Sequence, residues 1–157
     1  MENYSFKLAG YLNEKEPIVE LIKDLWSKTY NTEGKPDWSH ILPYYADDIY
    51  FRDTIQEIRG KEPFIEMTQR LTARSKDLKM QIVNIMMDGN IVFMEWEMTL
   101  SFKKYPSSVM YGSSRLTLND EGKISEQRDY YDLWGDIFDN IPRFGKMYRK
   151  FVKSKFG

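Results

Sequence analysis

Few side chains in this sequence could carry chemistry, and most of the usual catalytic sets are missing. There is no cysteine among the 157 residues, which excludes disulfides, thiolate metal sites and a cysteine nucleophile. His40 is the one histidine. It sits among Trp38, Ile41 and Leu42 of a short helix, where a surface or capping role is the expectation. One histidine without cysteine cannot make a typical zinc site, and the nine glycines are scattered over turns rather than gathered in a phosphate loop. No metal and no cofactor is therefore expected. Ser113 and Ser114 have no histidine base near them, which argues against a triad. Carboxylates remain. Asp53 closes a short strand at residues 49–53. Asp129 lies in the last strand, whose alternation puts Gln127, Asp129 and Tyr131 on one face. In an apolar enclosure the charged form of a carboxylate is disfavoured, which raises its pKa toward the range of acid–base work. Two facing carboxylates would drive their pKa values apart and give one acid and one base. The plainer alternative is that each is a satisfied structural group.

Helices and strands must position these groups. Residues 14–30 have Ile18, Leu21, Ile22, Leu25 and Trp26 at helical spacing, with Pro17 in the first turn. Asp37 caps a short second helix that stops near Pro43, and the Asp47-Asp48 pair reads as a helix end. Gly60 precedes a third helix over 61–74. From Lys79 onward the period changes to two. Strands are predicted at 79–87, 91–102, 108–118 and 123–133, with turns at Asp88-Gly89-Asn90 and Asn119-Asp120-Glu121-Gly122. In 91–102 the even positions Val92, Met94, Trp96, Met98, Leu100 and Phe102 are all apolar, while Glu95 and Glu97 fall on the other face. One covered and one wet face mark an antiparallel sheet. Helices followed by a meander make the fold class α+β. If the sheet curves around the helices, it becomes a cone with a cavity inside.

These residues resemble a known superfamily. Tyr45-Ala46-Asp47-Asp48, a strand ending in Asp53, then Arg59-Gly60 and a helix look like the N-terminal half of ketosteroid isomerases and SnoaL-like polyketide cyclases. Gly122 to Leu133, GKISEQRDYYDL, looks like the closing strand of limonene epoxide hydrolases and many SnoaL-like proteins. The resemblance covers about residues 14–135 and implies the nuclear transport factor 2-like fold, a cystatin-like α+β roll. It puts Asp53 at the place of the isomerase base and Asp129 at one of the two epoxide hydrolase aspartates. Trp96-Glu97-Met98 stands where those hydrolases have Arg-x-Asp, and Ser114 stands where the isomerases have an oxyanion-hole aspartate. Their oxyanion tyrosine falls near Leu25 or Trp26. The departures argue against either of those two reactions. The resemblance also implies a homodimer formed through the outer face of the long strands.

Charge is unevenly placed. Residues 140–157 hold six of the 23 Lys+Arg and none of the 24 Asp+Glu, so this tail is +6 and the remainder −7. A basic tail on an acidic body argues against a nucleic-acid binder. No stretch is long and apolar enough to span a membrane or to serve as a signal peptide, and the expected setting is cytoplasmic. Residues 1–139 form the expected domain. In the tail, Phe144, Met147, Tyr148, Phe151 and Val152 recur at helical spacing among the basic residues. Such a helix either packs back on the domain or on a partner subunit, which is the expectation, or lies on an anionic membrane surface. Three functions fit: a cofactor-independent lyase, isomerase or cyclase using Asp129 and Asp53; a non-catalytic domain holding a lipid-like ligand; or a dimerising interaction module. In the first, Trp96, Met98 and Trp26 wall the pocket of a small apolar molecule, and Ser114 and Tyr131 donate hydrogen bonds to it.

Overall fold

The computed structural model describes residues 15–102 and 107–157; nothing is described for the side chains of Lys15 and Phe102. Helix α1 (Lys15–Tyr30) leads through two short 3-10 turns at Trp38–His40 and Leu42–Tyr44 into strand β1 (Tyr45–Arg52) and the short β2 (Glu57–Arg59). Helix α2 (Lys61–Arg74) runs without a break into β3 (Ser75–Asp88), followed by β4 (Ile91–Phe102), β5 (Ser108–Leu118) and β6 (Ile124–Tyr131). A π-turn at Leu133–Ile137 and a 3-10 turn at Phe138–Asn140 precede helix α3 (Phe144–Phe156). The six strands form one curved, unclosed sheet in the order β2-β1-β6-β5-β4-β3. Helices α1 and α2 lie in its concavity, α1 against β3 and α2 against β1, β2 and β3. The fold is α+β, as the period change at Lys79 implies.

The alternation in β4 is the clearest sequence rule kept by the structure. Val92, Met94, Trp96, Met98 and Leu100 are buried, and Glu95 and Glu97 are exposed. Phe102, the last position of that pattern, has a side chain outside the described residues. The inward face of β4 meets Ile22, Leu25 and Trp26 of α1 and Phe64 of α2 in one core. Each such buried side chain contributes about 1.5 to 3 kcal/mol. Asp37 caps its turn as predicted, accepting the Ser39 amide at 3.0 Å.

Three readings needed correction. Tyr45 to Asp48 belong to β1, not to a helix end: the register of β1 against β6 shifts between Tyr45 and Tyr50, so Asp47 and Asp48 both face outward. Two successive outward polar residues break the period of two and hide the strand. The sheet is also not purely an antiparallel meander, because β1 pairs with β6 in parallel. Finally, β3 begins at Ser75 rather than Lys79. Ser75 both ends α2, its hydroxyl donating to the Leu71 carbonyl at 2.8 Å, and opens the strand. Its polar sequence carries no strand signal, and pairing with β4 decides its state.

The tail is helical, as its spacing implies, but it rests on little. Trp134 stacks on Phe144 and Tyr148, Phe138 meets Phe144 edge-on, and Arg149 pairs with Asp139 at 3.0 Å. These contacts are with the turns at 133–140.

Candidate active site

Between the sheet and the helices lies a cavity of about 630 Å³. Trp26 of α1, Trp96 and Met98 of β4, Ser114 of β5, Asp129 and Tyr131 of β6, and Asp53 just beyond β1 all line it. The strands bring these residues together by pairing. Ser114 stands directly opposite Asp129, and Met94 and Trp96 flank Ser114 on the other side through the partners Ser114 and Gly112 of β5. Inward positions on neighbouring strands therefore form one row across the sheet.

The hydrogen bonds in this row have a direction. Trp96 Nε1 donates to Ser114 Oγ at 2.9 Å, so the single Ser114 proton is free to go to Asp129 Oδ1, at 2.6 Å. Gln127 Nε2 donates to the same Oδ1 at 2.9 Å and more weakly to Oδ2 at 3.2 Å. The Tyr45 hydroxyl in turn donates to Gln127 Oε1 at 2.5 Å, which orients the amide. Every donor converges on Asp129, chiefly on Oδ1. Among the described residues, Oδ2 has only the long Gln127 contact. Asp129 is half-buried and lines the cavity.

Burial dominates the electrostatics of this carboxyl. It pushes the Asp129 pKa up to about 6, against the opposing pull of the Ser114 and Gln127 hydrogen bonds, and the nearby Asp53 charge adds to the rise. Asp53 itself is built into a turn. Its Oδ1 accepts the Ile55 and Gln56 amides, both at 2.8 Å, and its Oδ2 accepts the Tyr131 hydroxyl at 3.1 Å. Burial and the Asp53 charge hold the Tyr131 phenol well above its usual range, so it stays protonated as a donor.

Sequence reasoning left out four residues of this site. Gln127 and Tyr45 form the second arm that holds Asp129. Tyr30, one turn beyond Trp26, lines the cavity with its ring edge-on to Trp38 at 5.2 Å. Burial and the Asp129 charge raise the Tyr30 pKa, so its hydroxyl stays protonated. Gly112 makes room for the indole: a Cβ there would lie 2.4 Å from Trp96 Cη2 and 2.8 Å from the Tyr130 carbonyl oxygen. Gln127 was legible from its shared face with Asp129. Tyr30 was legible from its spacing of four from Trp26 on the same helix, whereas Tyr45 and Gly112 have no signal apart from the packing. His40 is half-exposed, with Nε2 3.4 Å from Asp37. Among the described residues no group of three or more His, Cys, Asp or Glu is arranged to hold a metal ion.

Known proteins share this framework. An LEH-like epoxide hydrolase from M. tuberculosis superposes with a TM-score of 0.66 at 20% identity, covering 87% of this chain and 98% of its own. A putative SnoaL-like polyketide cyclase from Jannaschia sp. CCS1 gives 0.68 at 17% identity, covering 85% and 97%. A hypothetical protein of ketosteroid isomerase-like fold from Catenulispora acidiphila, in complex with trimethylamine, gives 0.63 at 17%, covering 78% and 92%. Identities this low carry the fold and not the reaction. No curated protein matches the sequence. The SnoaL-like domain family does match, over residues 26–127, a span running from the cavity tryptophan of α1 to the glutamine that holds Asp129. The chain therefore belongs to the SnoaL-like domain family and has its nuclear transport factor 2-like fold.

Proposed function

We propose that this protein is a cofactor-independent isomerase, cyclase or lyase acting on a small apolar carbonyl compound, with Asp129 as its base and acid. One observation carries the reading: the Asp129 carboxyl lines the cavity and is held chiefly through Oδ1 by Ser114 and Gln127, while among the described residues Oδ2 has only the 3.2 Å Gln127 contact. With a pKa of about 6 it is ionised at neutral pH yet takes up a proton readily. Oδ2 would remove a proton from a carbon next to the substrate carbonyl. The Tyr30 hydroxyl, which lines the cavity and stays protonated, would donate to the oxygen as charge develops there. Returning the proton to another carbon completes an isomerisation. Expelling a leaving group makes a lyase, and attack of the carbanion on a second carbonyl of the same molecule closes a ring. Trp26, Trp96 and Met98 supply apolar walls. Asp53 accepts the Tyr131 hydroxyl, which takes up that phenol's one proton and holds its ring in the cavity wall.

The test needs no natural substrate. The apolar ketone 2-tetralone exchanges its α-hydrogens for deuterium in D2O, which proton NMR follows. The protein should accelerate exchange, with a rate that rises with pH through about 6. Asp129→Asn should abolish the acceleration, and Tyr30→Phe should reduce it by about ten- to a thousandfold. Binding of 2-tetralone without any acceleration would favour the non-catalytic ligand-binding domain.

We further propose that two copies pair through the outer sheet face. Met86, Phe93, Val109, Tyr111 and Tyr130 are exposed there, around Glu95 and Glu97. A cytoplasmic setting is part of the same proposal. No helix among the described residues is long and apolar enough to cross a membrane.

A further inference from the structure

Helix α3 leaves part of its apolar stripe uncovered. Phe144 and Tyr148 lean on Trp134, but Met147 and Phe151, one turn apart, are 62% and 56% exposed, and Phe156 is 81% exposed. Lys150 and Lys155 stand on either side of the Met147–Phe151 strip and Lys146 and Lys153 on the face behind Lys150, with no carboxylate side chain on the helix. The helix is about 20 Å long at 1.5 Å per residue. Its free strip is one side chain wide, far short of the roughly 800 Å² per partner of a stable protein interface. A strip of that width flanked by lysines suits the headgroup boundary of an anionic bilayer, which needs no matching shape.

The position of the helix gives this a purpose. Ile137, Phe138, Asn140 and Ile141, which lead directly into α3, line the cavity. So do Arg70 and Arg74 of α2, which are exposed and therefore stand at its rim. We infer that α3 docks the protein on an anionic lipid surface and brings the rim of the cavity to that surface, so that apolar molecules enter from the bilayer. The docking does not depend on the proposed chemistry. Only the route of entry rests on the cavity taking an apolar ligand.

Flotation of the full-length protein with phosphatidylcholine vesicles, with or without phosphatidylglycerol, tests this. The protein should float with the mixed vesicles and stay behind with phosphatidylcholine alone. Lys150→Glu with Lys153→Glu should weaken binding by about tenfold or more, and Met147→Asp with Phe151→Asp should abolish it. Both pairs are exposed or lie outside the core, so circular dichroism and melting should match the parent. No flotation, or flotation unchanged by the Met147/Phe151 pair, would overturn the inference. So would a dimer by light scattering that this pair splits, since a second copy would then cover the strip. Loss of vesicle binding with 2-tetralone exchange intact separates this inference from the catalytic reading.

Discussion

Ser114 and Asp129 face each other across β5 and β6, and the serine hydroxyl donates to the carboxylate at 2.6 Å while accepting the Trp96 indole at 2.9 Å. Serine has one proton, so the tryptophan decides where it goes. Trp96 thus acts on Asp129 without touching it. Gln127 has the same logic on the other side, oriented by Tyr45. The carboxyl is held as an acceptor from two directions, yet burial still raises its pKa.

That raised pKa makes stability depend on pH. In the unfolded chain an aspartate titrates at about 3.9; in the folded protein Asp129 titrates at about 6. Below pH 4 both states hold the proton and the group costs nothing. As pH rises from about 4 to about 6 the unfolded chain ionises while the fold resists, so the parent loses about 2 to 3 kcal/mol over that window and stays level above it. Asp129→Asn keeps an oxygen for Ser114 and Gln127 and does not ionise. Relative to the parent, the variant should gain about that amount between pH 4 and pH 8, measured by urea unfolding at each pH. A difference that does not change with pH would refute the raised pKa.

Gly112→Ala should disturb the site from behind. The added methyl would lie 2.4 Å from the Trp96 ring, and the Tyr130 carbonyl at 2.8 Å leaves it no retreat. The indole must move, which costs about 1 to 3 kcal/mol and breaks its bond to Ser114. Chemical denaturation should show the loss, and tryptophan emission should shift because the Trp96 N–H has lost its partner. Parent-like stability and emission would mean that the close approach is not required.

Tyr111 tests the proposed dimer. Its side chain is 60% exposed on the outer face, opposite Glu97 of β4. Its backbone N–H, which donates to Asp136 at 3.0 Å, is untouched by a side-chain change. Light scattering of the parent at micromolar concentration should give twice the chain mass, and Tyr111→Lys should give the monomer without lowering the melting temperature. A parent that is already monomeric rules this interface out.

The sequence by itself determined what depends on neighbours along the chain. The bounds of α2, the inward row from Val92 to Leu100, the outward Glu95 and Glu97, and the shared face of Gln127, Asp129 and Tyr131 all follow from periods of 3.6 and 2, which are properties of the backbone. Only the tertiary structure decided what depends on which strands meet. The parallel pairing of β1 with β6 brings the Tyr131 hydroxyl to Asp53, 78 positions earlier in the chain. The shift within β1 turns Tyr45 inward toward Gln127, and the approach of Trp96 to Gly112 aims the Ser114 proton. The same holds for acidity. Asp53 and Asp129 are alike as letters, but one is tied into a turn by two amides while the other is held by Ser114 and Gln127 side chains and raised in pKa by burial. Burial and contact across the sheet are long-range quantities, so no local pattern of residues could have told the two aspartates apart.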